Sequence, residues 1–124
     1  QYAHARIASV FRQAFGEEAD PAQHLPDPDA TDLSVLASDE EDDLLRHLVA
    51  FPTEVRLAAE RREPHRLAFY AMELARRFHT FYAHHRILGE DLQVQAARLL
   101  LARATQLTLR RVLGMMGVNA PERM

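Results

Sequence analysis

The sequence predicts an all-α fold, a single helical bundle of about five helices. Three observations carry this reading. Apolar residues recur at three- and four-residue spacing along most of the chain; no alternating β-branched run competes; and Gly and Pro punctuate the periodic stretches. With 124 residues, 48% of them hydrophobic and 27% charged, the chain has one domain's worth of core and is too apolar to stay unfolded.

The first helix is expected over about residues 1–15, where Tyr2, Ile7, Val10, Phe11 and Phe15 make an apolar stripe and Gly16 stops it. Residues 17–31 are acidic and contain Pro21, Pro26 and Pro28, which deny helix hydrogen bonds, so the stretch reads as a loop and, at that length, as an insertion. Ser38 with Glu41 fits a capping box that opens a second helix, and the neighbouring acids suit the positive end of its dipole. Leu44, Leu45, Leu48 and Val49 are its expected buried face. Phe51-Pro52 ends that helix, and Pro52 is placed as first residue of a third running to about Glu63. Pro64 repeats the device and opens a fourth over about residues 65–88, with Leu67, Ala71, Leu74, Phe78 and Phe81 at bundle spacing and Gly89 at its close. A fifth spans about 91–113, with Leu92, Ala96, Leu99, Leu100, Ala102, Leu107 and Val112 available to the core.

The net charge of −3 conceals an asymmetry. Residues 17–45 hold 11 acids and no Arg, whereas the rest carries all 15 arginines against 7 acids. A phosphate-binding surface needs local positive potential, which those arginines supply. The same arginines also fit helices that merely solvate their outer faces. The polyacidic stretch repels nucleic acid and is expected to lie away from any such surface.

No catalytic constellation is present. There is no glycine-rich phosphate loop and no cysteine, and Ser9, Ser34 and Ser38 lack a recognisable setting. The seven histidines invite a metal, but His79, His84 and His85 do not repeat at the i, i+4 spacing that puts two ligands on one helical face, so no metal site is expected. No apolar run approaches the roughly 18 residues of a membrane span, and no signal peptide is visible. One face is different: His79, Tyr82 and Arg86 fall at i, i+3 and i+7 near the end of the fourth helix. A Tyr offers a flat face to a base, and an Arg pairs with phosphate or base edges. Both residues snorkel well, so an ordinary amphipathic edge fits them too.

The two ends sharpen the reading. Gly117-Val118-Asn119-Ala120-Pro121-Glu122-Arg123-Met124 has the look of a natural carboxyl terminus, while Gln1-Tyr2-Ala3-His4-Ala5-Arg6 opens inside a helix without a Met, as expected of the C-terminal piece of a longer protein. With Glu63-Pro64-His65-Arg66, Phe78-His79-Thr80-Phe81-Tyr82, Arg86-Ile87-Leu88-Gly89 and Ala96-Ala97-Arg98-Leu99, these segments resemble the C-terminal anticodon-binding domain of class I arginyl-tRNA synthetases. The resemblance covers the chain apart from the acidic stretch at 17–31.

That resemblance implies a parent enzyme that uses ATP to activate arginine and esterify it to its tRNA. Segments like the His-Ile-Gly-His and Lys-Met-Ser-Lys signatures are absent, and there is no Lys at all, so this chain is expected to be non-catalytic and to bind no cofactor, ATP belonging to the catalytic domain. Its implied partners are the anticodon stem-loop of tRNA(Arg) and the catalytic domain of the same chain. A cytoplasmic monomer, with no membrane and no DNA partner, is the matching expectation. By motif, Tyr2 and Tyr82 match aromatic positions that the family sets against anticodon-loop bases, and Met124 matches the chain-end residue of the pocket for the central anticodon cytosine. Arg86 stands where some members have Trp, with guanidinium stacking as the substitute. Arg76, Arg77, Arg110, Arg111 and Arg123 are candidate phosphate contacts. An apolar patch at Ile7, Val10 and Phe11 is expected where the catalytic domain would pack. The competing class is a helical protein-interaction or regulatory domain whose stripes dock partners.

Overall fold

The computed structural model describes residues 2–117, and every regular element among them is helical. The order is α1 Tyr2–Phe15, α2 Pro21–His24, α3 Asp39–Val49, α4 Phe51–Glu60, α5 His65–His84 and α6 Leu92–Met115, with 3₁₀ turns at Pro28–Ala30 and Leu33–Val35. The helix α5 is the spine and packs against α1, α3, α4 and α6. Its Leu74, Phe78 and Phe81 are wholly buried, which stabilises the bundle by about 1.5–3 kcal/mol for each side chain. No helix among the described residues is long and apolar enough to cross a membrane.

The apolar stripe of α1 has a different use from the one expected of it. Ile7, Val10 and Phe11 sit in this domain's own core rather than on its surface. They face α5 and α6, the neighbours of α1. The patch expected there for a catalytic domain is therefore absent.

The acidic stretch is also more ordered than its prolines suggest. Pro21 and Pro28 stand at helix starts, where a missing N–H costs nothing. Asp20, Asp27 and Asp32 cap these turns, accepting from the N–H groups of Ala22, Asp29 and Ser34 at 3.0–3.1 Å. The expected loop thus holds one α-turn and a 3₁₀ turn, and two of its acids, Asp20 and Asp27, are caps.

Boundaries shift where a conformation intervenes that no Gly or Pro announces. α4 ends at Glu60 because Arg62 takes a left-handed φ of 53°, letting the Glu63 N–H reach the Ala58 carbonyl at 2.9 Å. α5 stops at His84, since His85 is extended with φ −136° and ψ 135°. In α6, apolar residues occur on all sides, and the expected core face is partly wrong. Leu92 and Leu107 are 79% and 47% exposed, while Ala97, Leu101, Thr105 and Leu109 are buried. Val49 likewise points outward from α3.

Candidate nucleic-acid interface

A groove of about 560 Å³ runs between α1 and the end of α5, lined by Val10, Gln13 and residues 82–88. Tyr82 and Arg86 both border it. They reach it differently from the single helical stripe the spacing suggested: Tyr82 is on α5, but Arg86 lies beyond the helix end. Ile87, buried, anchors the crossing into the core. At Gly89, φ is +87° and a side chain's first carbon would meet Arg86 Cδ at 3.5 Å, so the Arg86 stem rests across this glycine.

Tyr82 is half-buried, its ring stacked on Phe78 with centroids 6.0 Å apart. The guanidinium of Arg6 lies over it, 4.8 Å from the ring centre. This residue escaped sequence reasoning, because α1 and α5 meet only in the folded chain. The available signal was its place in Gln1-Tyr2-Ala3-His4-Ala5-Arg6, one helical turn after Tyr2 and on the same face. Arg6 Nε is buried with no hydrogen-bond partner, and among the described residues no carboxylate lies within ion-pair distance of Arg6. Arg66 Nε is also buried without a partner, but its Nη1 and Nη2 face Glu54 and Glu63, whereas the Arg6 guanidinium rests on an aromatic ring.

His79 is half-buried one turn before Tyr82, and burial, followed by repulsion from Arg6, holds its pKa below the usual histidine value. At neutral pH it is therefore an uncharged neighbour of the Arg6–Tyr82 pair. Tyr2 begins α1 with 68% of its surface exposed, ready to meet a flat ligand. Arg123 and Met124 lie outside the described residues.

The candidate phosphate contacts fare unequally. Arg76 and Arg77 both bind Glu73, at 2.9 and 2.7 Å, and Arg77 also pairs with Asp43 at 3.3 Å. Hydrogen bonds from Arg76 and then Arg77 bring the Glu73 carboxyl down to about 2. Arg110 donates through Nε to the buried His4 at 3.0 Å. Arg111 is exposed beside an apolar groove formed with Phe51, Pro52, Val55, Leu107 and Met115.

The acids do not keep their distance from the groove. The first turn of α3 docks directly on the segment that walls it: Glu40 accepts from His85 Nε2 at 2.7 Å, and Glu41 from Arg98 Nε at 2.9 Å. Asp42 and Asp43 pair with Arg46 and Arg77. Each of these four charges, Glu40 to Asp43, is matched by a partner within the fold. The His85 hydrogen bond pulls the Glu40 pKa down; for Glu41, burial pushes upward but is outweighed by bonds from Arg98 and Ser38. Among the described residues no group of three or more His, Asp or Glu is placed to hold a metal ion.

With this geometry in hand, comparison with known proteins is direct. Residues 1–124 match the family described as the DALR anticodon binding domain. The chain is 48% identical over 124 residues to an arginine–tRNA ligase of Carboxydothermus hydrogenoformans, covering all of this chain and 22% of that protein. It is 44% identical to the arginine–tRNA ligase of Desulforamulus reducens, covering 21% of it. Among solved structures, Thermus thermophilus arginyl-tRNA synthetase superimposes with a TM-score of 0.77 at 32% identity, over 99% of this chain and 20% of that one. The chain thus spans about a fifth of the relatives it matches.

Proposed function

The chain belongs to the DALR anticodon binding domain family, and from that premise we propose that it binds the anticodon stem-loop of an arginine tRNA as one module of a longer ATP-dependent arginine–tRNA ligase. The observation that supports the reading best is the pair of Tyr82, which borders the groove, and the half-buried Arg6 whose guanidinium lies over its ring. An unstacked loop base presents a face and a Watson–Crick edge, and single-stranded RNA is read by stacking combined with hydrogen bonds. Tyr2 and the Tyr82–Arg6 pair offer the faces, and Arg6 and Arg86 the donors. His79 keeps the site free of an additional charge. By the family resemblance Met124 belongs to the pocket for the central cytosine, and Arg123 is a candidate phosphate contact. ATP and arginine bind on the catalytic domain of the parent, and this module contributes recognition energy as a cytoplasmic monomeric arm of it.

The test is a titration with two stem-loops from an arginine tRNA, native and with the central cytosine replaced, at low and moderate salt. Preferential binding of the native loop is expected, and Tyr82→Ala should weaken it by about 1–3 kcal/mol. A folded chain that binds neither loop at low salt would overturn the reading in favour of a protein-docking module.

A further inference from the structure

The segment Ala96-Ala97-Arg98-Leu99 has so far been given no task. Arg98 is largely buried on α6, and its guanidinium gathers partners from α3 and from the crossing between α5 and α6. Nε donates to Glu41 of α3 at 2.9 Å, Nη1 donates to the Arg86 carbonyl at 2.8 Å, and Nη2 lies 3.4 Å from His85 Nδ1. Glu90 stands 3.8 Å from Nη1. Glu41, only 1% exposed, is itself fixed by the capping box, its Oε1 accepting from the Ser38 N–H at 3.2 Å and hydroxyl at 2.9 Å. At the far end of the crossing, the Gly89 N–H donates to Gln95 Oε1 at 3.0 Å.

We infer that Arg98, held by Glu41, is a positioning residue for RNA binding: it fixes the crossing at residues 85–89, and through it the place of Arg86 on the groove wall, without touching the ligand. The inference rests on the RNA-binding reading above. A free crossing without helical hydrogen bonds would otherwise place Arg86 in many orientations, and each would cost ordering entropy on binding. Arg suits the task because its planar fork serves a carboxylate and a carbonyl in fixed directions at once. A Lys at this position keeps the charge but cannot span both.

The experiment is a double-mutant cycle on the 124-residue chain with the native stem-loop, read as affinity against salt concentration. Arg86→Ala should weaken binding and lower the salt slope by about 0.7, the loss of one phosphate contact on single-stranded RNA. Arg98→Lys should weaken binding about tenfold with the slope unchanged, and by less than about twofold in the Arg86→Ala background. Should Arg98→Lys not fold, Gln95→Ala is the second variant, with an expected loss of about threefold that also vanishes without Arg86. Losses that add independently of Arg86, a lowered salt slope for Arg98→Lys, or unchanged affinity in a folded variant would each overturn the inference. Failure of the unsubstituted chain to bind the stem-loop would instead overturn the RNA-binding reading on which it stands.

Discussion

Two faces of α5 are built from the same residue types and end in opposite states. Towards α3, polar groups are paired: His47 Nε2 contacts the Tyr70 carbonyl at 3.1 Å, the Tyr70 hydroxyl donates to the His47 carbonyl at 2.7 Å, and the two rings stack 4.1 Å apart. Glu73, Arg77 and Asp43 complete that seam with ion pairs. Towards α1, Arg6 lies over Tyr82 with a buried Nε that has no partner. The α3 seam joins two helices through paired charges, whereas the α1 seam joins two through a cation over a ring. Arg66 Nε is likewise buried without a partner, but Arg66 Nη1 and Nη2 face Glu54 and Glu63; what sets Arg6 apart from it is that, among the described residues, no carboxylate lies within ion-pair distance of Arg6.

Phe78 is wholly buried on α5 and stacks against Tyr82. Phe78→Ala should cost about 3–5 kcal/mol of stability and abolish RNA binding together with the fold, as chemical unfolding with a parallel titration would reveal. Tyr70→Phe acts on one face alone. It leaves a carbonyl in the last turn of α3 without its hydroxyl donor, for a loss of about 1–2 kcal/mol in denaturant unfolding and unchanged stem-loop affinity.

A change of pH sharpens the contrast. Burial holds the His47 pKa below the usual histidine value, with the hydrogen bond to Tyr70 opposing only in part. The folded state therefore binds its proton less readily than the unfolded state. The associated stability is complete above a pH of about 6.5 and is lost as pH falls through the lowered folded value. His79 shifts in the same direction, so both faces weaken on acidification. Urea midpoints measured from pH 7 to pH 5 should fall, and less steeply in His47→Gln. The smallest effect lies away from both faces. Arg62 occupies a left-handed position that Gly adopts without strain, so Arg62→Gly should gain about 0.5 kcal/mol in the same assay and leave RNA binding untouched.

Much of this architecture was legible in the residues. Ser38 and Glu41 announced the start of α3, and Pro52 and Pro64 marked the next two helices, because caps and prolines act locally. The α6 face was not legible: Leu and Ala surround that helix, so only its packing partners decide that Thr105 is buried while Leu107 is not. The end of α5 was hidden because His85 breaks the helix through contacts with Glu40 and Arg98 from other elements. Tyr82 and Arg86, singled out for their chemistry and resemblance, do border one groove, although Arg86 lies beyond the helix rather than on its register. Arg6 needed the fold, since its meaning depends on a ring far away in sequence.

The most direct test of the central claim is Arg6→Met, followed by paired measurements of stability and native stem-loop affinity. Met keeps the apolar stem and removes both the cation–π contact, worth about 0.5–1 kcal/mol, and an unsatisfied buried donor that costs about 1–3 kcal/mol. The predicted result is unchanged or higher stability with affinity reduced by about 1–2 kcal/mol. A less stable variant that binds the stem-loop as tightly as before would contradict the account, because Arg6 would then serve the fold rather than a ligand.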